Sequence, residues 1–482
     1  VMLVSALARI IHSKRSVGRQ ARALWSVGFE HTALPVLDRA TSRLQLDKPW
    51  LEAALTKLDP RLSLRVVRAE VVAVVDETAP TLDRLRQRYG EGGLPFLSVT
   101  GARDDLAMLE AVARRWRDSF SHVIVLGVGG SSLGGQALCA LSEPGSGPHR
   151  GAPSLRFMDN VDPDSFERLF RAIDPAQAGF LVISKSGATT ETLAQFAVCL
   201  GEMRKAVRKP RRARHFTVIT EPGDNPLRRL AEDLSIPVLD HHPGIGGRFS
   251  VLSLVGLLPA MIAGLDAAAV RDGAASVLEA ALSAEGAEAC EPAVGAAINV
   301  ALLRRRAITT TVLMTYADRL APFALWFRQL WAESLGKDGT GTTPIQALGT
   351  GDQHSQLQLY LAGPRDKMFT LVILETLGMG QPVRAEFAND PRLDYLAGRT
   401  VGDFMAIGAQ ATAETLVRQG RPVRLFRLAR LDEQSLGGMM MHFMLETVIT
   451  AGLLGVDPFD QPAVEEGKAL ARGHLARMSP KK

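Results

Sequence analysis

The chain has 482 residues, 46% hydrophobic and 22% charged, the balance of an ordinary soluble globular protein with room for two to four domains. Three widely spaced cysteines (Cys139, Cys199, Cys290) form no C-x-x-C pair, which argues against a disulfide framework or a cysteine metal site and suits a reducing, cytoplasmic compartment. Five basic residues between Val1 and Phe29 (Arg9, Lys14, Arg15, Arg19, Arg22), with no acid among them, account for the formal net charge of +5, so the remainder is neutral and little favours a nucleic-acid partner.

The apolar start VMLVSALA is followed, not preceded, by its positive charge, the reverse of a secretory signal, and the valine at residue 1 suggests a misassigned start or a leader. Residues from about 30 to 95 read as helical segments, including ALTKLDPRLSLRVVRAEVVAVVDET. Short β-branched runs then recur at Ser121 to Val128, Leu155 to Met158, Phe180 to Ile183, His215 to Ile219 and Ile236 to Leu239, separated by helix-like stretches. This alternation predicts right-handed crossovers and a mainly parallel, doubly wound α/β sheet. It restarts with strands at Thr309 to Met314, Phe369 to Leu374 and Val423 to Arg427, after an alanine-rich helical region near 266–303. The organisation expected is a helical region over 1–95, α/β domains over 96–270 and 271–440, and a helical tail over 441–482. The apolar stretch Val251 to Leu265 is interrupted by Ser253, Gly256 and Pro259 and falls short of the ~20 residues of a membrane span, so it reads as core and no membrane partner is expected. The basic run at 204–214 reads as a solvated helix end and loop, with an anionic docking patch as the alternative.

Ligands of an open parallel sheet sit beyond the carboxyl ends of its strands. GVGGSSLGG, Gly127 to Gly135, follows a strand and lets backbone N–H groups approach an anion, with Ser131 and Ser132 adding hydroxyls; the alternative is a tight turn. It is not a dinucleotide fingerprint, because Ser132 stands at the third glycine position, and no G-x-x-x-x-G-K-[ST] occurs. SKSGATTET, Ser184 to Thr192, places five hydroxyl side chains around a glycine and a lysine at a helix start, more than an N-cap requires.

Pro322 to Leu335 predicts a helix on which Gln329 and Glu333, four residues apart, share a face among Trp326, Phe327, Leu330 and Trp331. Partial desolvation and the negative helix end there favour the protonated carboxyl, as a general base requires; the alternative is a surface glutamate. GTGDQHSQLQLYL predicts His354 in or near the first turn of a helix beginning around Thr350, where the dipole favours neutral imidazole. Arg248 stands at the entrance to the most apolar stretch and needs an anionic partner. Gln461 and Lys468, seven apart, share a face if a helix starts near Pro462; a solvated lysine is the alternative.

Together GVGGSSLGG, SKSGATTET, GGRFSVLSLVGLLP, QLWAESLGK with GTGDQHSQLQLYL, and DPFDQPAVEEGK resemble, in order, the blocks of glucose-6-phosphate isomerases, across residues 121–468. The resemblance implies duplicated sugar-isomerase (SIS-type) domains and a homodimer with active sites at the subunit interface. A phosphorylated hexose is then the substrate, and neither cofactor nor metal is needed. On that resemblance Glu333 matches the catalytic base and Gln329 its neighbour, while Arg248 matches the arginine beside the reacting carbons. His354 matches the ring-opening histidine that reaches the partner subunit's site, with Glu191 as its carboxylate companion. Lys468 matches the lysine at the ring oxygen, with Gln461 nearby. Ser184, Lys185, Ser186, Thr189 and Thr192 match the phosphate pocket, and Gly130 and Ser131 match substrate contacts. Ala188 departs from the threonine of many relatives, at a position outside the expected phosphate ligands. A non-catalytic sugar-phosphate sensor is the rival reading; it has no reason to keep Glu333, His354 and Lys468 together.

Overall fold

The computed structural model describes residues 30–33, 73–142, 152–384 and 390–478. The expected basic leader (1–29) and residues 34–72 of the expected helical section lie outside the described residues. The described strands are β1 (Glu30–Ala33), β2 (His122–Leu126), β3 (Ser154–Met158), β4 (Ala178–Ile183), β5 (Phe216–Thr220), β6 (Val238–Asp240), β7 (Thr310–Tyr316), β8 (Thr343–Leu348), β9 (Lys367–Leu374) and β10 (Val423–Leu428). They form two five-stranded sheets, β3-β2-β4-β5-β6 and β1-β10-β9-β7-β8. The chain divides into two compact units. One comprises Arg88–Asp272, Gln329–Leu335 and the described residues from Val456; the other comprises the described residues up to Gln87, Gly273–Arg328 and Gly336–Gly455.

In the first unit every strand pairing is parallel. A parallel strand covered on both faces must be apolar on both, and β4 (AGFLVI) is buried throughout while Val123 to Leu126 of β2 are inaccessible. Ile124, Phe180, Phe196, Met203, Phe216 and Leu227 join strands to flanking helices in one core. The sheet order reverses direction between β2 and β4, so the crevice beyond their carboxyl ends is the switch point where such sheets bind ligands. The GVGG and SKSGATTET motifs leave β2 and β4 at that place. The stretch Val251 to Leu265 supplies the helix Leu254–Ile262, whose residues from Val255 to Ile262 are all buried.

In the second unit β7, β8, β9 and β10 pair in parallel, whereas β1 pairs antiparallel with β10. The sequence pattern read residue 30 onward as helical, and Glu30–Ala33 is instead an edge strand. The alanine-rich region forms the helices Ala267–Leu282 and Glu291–Arg306. The helix Glu433–Leu454 is long and apolar enough to cross a membrane by length and composition, yet it is a core helix, with 89% of its most apolar window buried. It carries Glu446, held by both oxygens at 2.9 Å from Arg424 Nη1, by Asn299 at 3.0 Å and by the His442 ring at 3.0 Å. A wholly buried carboxylate persists only when paired and hydrogen-bonded in this way; losing one partner of such a pair costs about 3–5 kcal/mol.

Candidate active site

At the switch point the GVGG loop turns through Gly129, whose φ of +55° is left-handed and whose missing side chain leaves room for Gln329, since a Cβ would sit 2.9 Å from Nε2. Gly130 meets the backbone of the GGRF segment, where a Cβ would lie 2.3 Å from the carbonyl carbon of Gly247. Ser250 Oγ donates to the Gly247 carbonyl at 2.7 Å and to that of Gly130 at 3.3 Å, fastening the two segments together. Ser131 closes the 3-10 turn Gly129–Ser131.

The second loop is fixed by its backbone. The Ser184 N–H donates to the Ile219 carbonyl at 3.0 Å, the Glu221 N–H to that of Lys185 at 3.0 Å, and the Leu227 N–H to that of Gly187 at 3.0 Å. Ser184 Oγ donates to Thr189 Oγ1 at 2.9 Å, and Ser186 Oγ accepts from the Ala188 N–H at 3.3 Å. Thr189 is the N-cap of the helix Thr190–Ala206 but its side chain makes no capping bond, so the first-turn amides keep their full capacity for an anion. The Thr192 hydroxyl is buried without a hydrogen-bond partner. Lys185 lies 3.2 Å from Glu221. Beside it, His241 is buried with Nε2 3.1 Å from the Ile245 carbonyl and Nδ1 unpartnered; burial and the Lys185 charge push its pKa down to about 4.

Glu333 and Arg248 form the centre. Only 3% of the Arg248 side chain is exposed, and its guanidinium donates to five acceptors: Ser334 Oγ (2.8 Å), Glu333 Oε2 (3.3 Å), Gln461 Oε1 (2.7 Å), the Asp460 carbonyl (2.9 Å) and the Pro458 carbonyl. Burial lowers the arginine's pKa, opposed by Glu333, Asp460 and Asp457. Gln329 Nε2 donates to Glu333 Oε1 at 3.1 Å, so each carboxylate oxygen receives one hydrogen bond and the plane of the group is set. Glu333 itself is half-buried on the helix Ala321–Leu335, whose expected extent is confirmed. Ser334 and the carbonyls of Pro458 and Asp460 were not legible in sequence. They lie 86, 210 and 212 residues from Arg248, and backbone acceptors leave no residue-type signal.

Two helix placements are corrected. Gly351–Gln353 is a 3-10 turn ending at His354, and the next α-helix is only Leu357–Ala362, so His354 does not occupy the first turn of a helix from Thr350. The carboxylate of Asp352 accepts from the Leu348 N–H at 2.7 Å and from Ser355 at 2.6 Å, bonds that tie the turn to the end of β8 and compete with continuing the helix. Gln461 precedes a 3-10 turn, Pro462–Val464, and the α-helix is Glu465–Arg477, so Gln461 and Lys468 do not share a helix face. Lys468 is exposed and donates to Glu465 at 2.7 Å. Arg248, Glu333, Gln329, Gln461 and the Gly130 loop are thus brought together. Among the described residues Lys468 and Glu191 make no hydrogen bond to that cluster, and His354, exposed, belongs to the other compact unit.

A half-buried carboxylate with both oxygens oriented, a buried guanidinium against it, and an uncapped helix start at the switch point belong to an α/β protein of the sugar-isomerase type. The fold agrees: a crystal structure of a hypothetical protein from Thermus thermophilus matches with a TM-score of 0.75 at 33% identity, over 93% of this chain and all of that one. A glucose-6-phosphate isomerase from Chlamydia trachomatis shares the fold at a TM-score of 0.66 and 22% identity, over 78% of this chain and 74% of that one. The family model for phosphoglucose isomerase matches residues 113–364. A glucose-6-phosphate isomerase from Rubrobacter xylanophilus is 39% identical over 84% of this chain and 94% of its own, and one from Thermus thermophilus is 36% identical over 82% and 95%. The chain belongs to the phosphoglucose isomerase family.

Proposed function

We propose that this isomerase interconverts glucose 6-phosphate and fructose 6-phosphate through a cis-enediol, a reading supported by relatives named glucose-6-phosphate isomerase. The observation that carries the reading is the Glu333 carboxylate fixed between Arg248 and Gln329 beside the Gly129–Ser131 turn. The phosphate takes the hydroxyls of Ser184, Ser186, Thr189 and Thr192, the Lys185 ammonium and the first-turn amides, and clamps the sugar by its non-reacting end. Ring opening requires a proton delivered to the ring oxygen and one removed from the anomeric hydroxyl, work assigned to His354 and Lys468. Glu333 then takes the proton from C2 to give an enediolate, a proton passes from the C2 hydroxyl to the C1 oxygen by way of the cis-enediol, and Glu333 returns its proton to C1. A positioned base contributes about 10²–10⁴ in rate. Arg248 faces the charge that develops on the enediolate oxygens, and Gln461 and Gly130 with Ser131 hold the sugar hydroxyls.

The reading extends to assembly. His354 and Glu191 serve a site shared between the subunits of a homodimer, His354 completing the partner's site beside the partner's own loop. Domains over 96–270 and 271–440, flanked by helical regions, and cytoplasmic action in glycolysis and gluconeogenesis complete the proposal. The test adds purified protein to fructose 6-phosphate with a chelator present, following glucose 6-phosphate with a coupled dehydrogenase. Rapid turnover is expected; tight binding of the sugar phosphate without turnover would overturn the reading in favour of a sensor.

A further inference from the structure

His354 is exposed, at the end of a loop that leaves β8 at Leu348, and an exposed imidazole is useful in catalysis only if something fixes its backbone. The residue before it does the opposite of its neighbour. Gln353 turns inward, and its Nε2 faces Tyr316 Oη at 2.9 Å, the Gly408 carbonyl at 2.7 Å and Thr412 Oγ1. Three acceptors surround an amide with two hydrogens, so both hydrogens are satisfied and the side chain is held in place. Tyr316 is inaccessible to solvent at the end of β7, and Thr412 is buried on the helix Val401–Arg418. The loop lies directly on this tyrosine: a Cβ on Gly349 would sit 2.3 Å from Tyr316 Cε1. It also packs, less tightly, on the helix, where a Cβ on Gly408 would meet Thr350 Cγ2 at 3.2 Å and Gln353 Nε2 at 3.3 Å. Asp352 pins the other side of the turn through the Leu348 N–H.

We propose that Gln353, seated on Tyr316 and Thr412, is the positioning residue that aims His354 at the ring oxygen, so that its loss slows ring opening and spares the later proton transfer. The inference rests on the ring-opening role proposed for His354. A buried anchor and an exposed ring on consecutive residues of one tight turn leave the imidazole little backbone freedom; a shift of about 1 Å in such a group can cost about 10²-fold.

The test compares two ketose phosphates in heavy water, following deuterium entry at C1 by NMR: fructose 6-phosphate, which must be opened, and its 5-deoxy analogue, which lacks the hydroxyl needed to close a ring. Gln353→Leu is expected to lower exchange into fructose 6-phosphate by roughly 10–100-fold while exchange into the open-chain analogue stays within about twofold of the parent. Tyr316→Phe, which removes one oxygen atom, should shift the ratio in the same direction by less, and it carries the test if Gln353→Leu does not fold. His354→Ala calibrates the experiment. If it lowers the ratio and neither other variant does, or if both substrates slow equally in Gln353→Leu, the positioning role is overturned while the ring-opening role stands. If His354→Ala leaves the ratio unchanged, the ring-opening role fails and the inference falls with it.

Discussion

Replacing Arg248 by lysine tests whether the buried guanidinium acts on the transition state or merely holds substrate. Its five acceptors lie in several directions, from Ser334 Oγ on the Glu333 helix to the carbonyls of Pro458 and Asp460. An ammonium offers three hydrogens from one point, so at least two acceptors go unpaired. Ser334 and Pro458 are buried, and at about 1–3 kcal/mol for each buried group left unsatisfied the fold loses up to about 6 kcal/mol if both go unpaired, and less where water reaches the exposed Asp460 or the half-buried Gln461 and Glu333. On the role proposed for Arg248, the retained charge keeps ground-state attraction for the substrate, whereas aimed hydrogen bonds to a developing oxyanion are lost, a change worth roughly 10²–10³ in kcat. Denaturant unfolding reads the first effect and coupled-dehydrogenase kinetics the second, with kcat and KM determined separately on protein shown to be folded. A kcat within about threefold of the parent together with a raised KM would refute the transition-state assignment and make Arg248 a binding residue.

Glu333→Gln keeps the shape of the side chain and removes the proposed base, so sugar-phosphate affinity by calorimetry should persist while turnover falls by about 10²–10⁴; near-parental turnover would remove Glu333 from that role. The pH dependence of stability tests His241. Its folded pKa of about 4 lies below the ordinary 6.5, so the folded state binds the proton less readily than the unfolded chain. Its contribution is therefore present above about pH 6.5 and lost as the pH falls toward about 4. Between pH 7 and pH 5 the parent should lose roughly 1–2 kcal/mol more than His241→Asn in urea unfolding; parallel losses would mean that His241 is not held neutral.

The interior strands were legible because burial on both faces leaves a continuous apolar run. HVIVL, AGFLVI and KMFTLVIL could hardly be solvent-facing, and each is a strand whose ends lie within two residues of the expected place. Edge strands carry no such mark. β8 (TPIQAL) pairs on one side only, tolerates Pro344, and buries little beyond Ala347, so its alternation was too weak to read. β1 is four residues long, too short for any period to register. Helix starts failed for a related reason. In GTGDQH the carboxylate of Asp352 bonds back to Leu348, and after Gln461 the proline opens a 3-10 turn; both are local choices that resemble helix entry in sequence.

The active centre was legible in a different way, as demands without their answers. An arginine entering the most apolar segment of the chain requires compensation, but the sequence does not say from where. Glu333 is 85 residues away and Gln461 is 213, and two of the remaining acceptors are main-chain carbonyls. What makes the convergence possible is visible only in three dimensions. Gly130 and Gly247 touch backbone to backbone, and even one added methyl group would meet the Gly247 carbonyl carbon at 2.3 Å. The glycines that looked like a phosphate cradle therefore have a second duty. They let the loop after β2 lie flat against the segment that carries Arg248, and so bring the guanidinium within reach of the carboxylate it must orient.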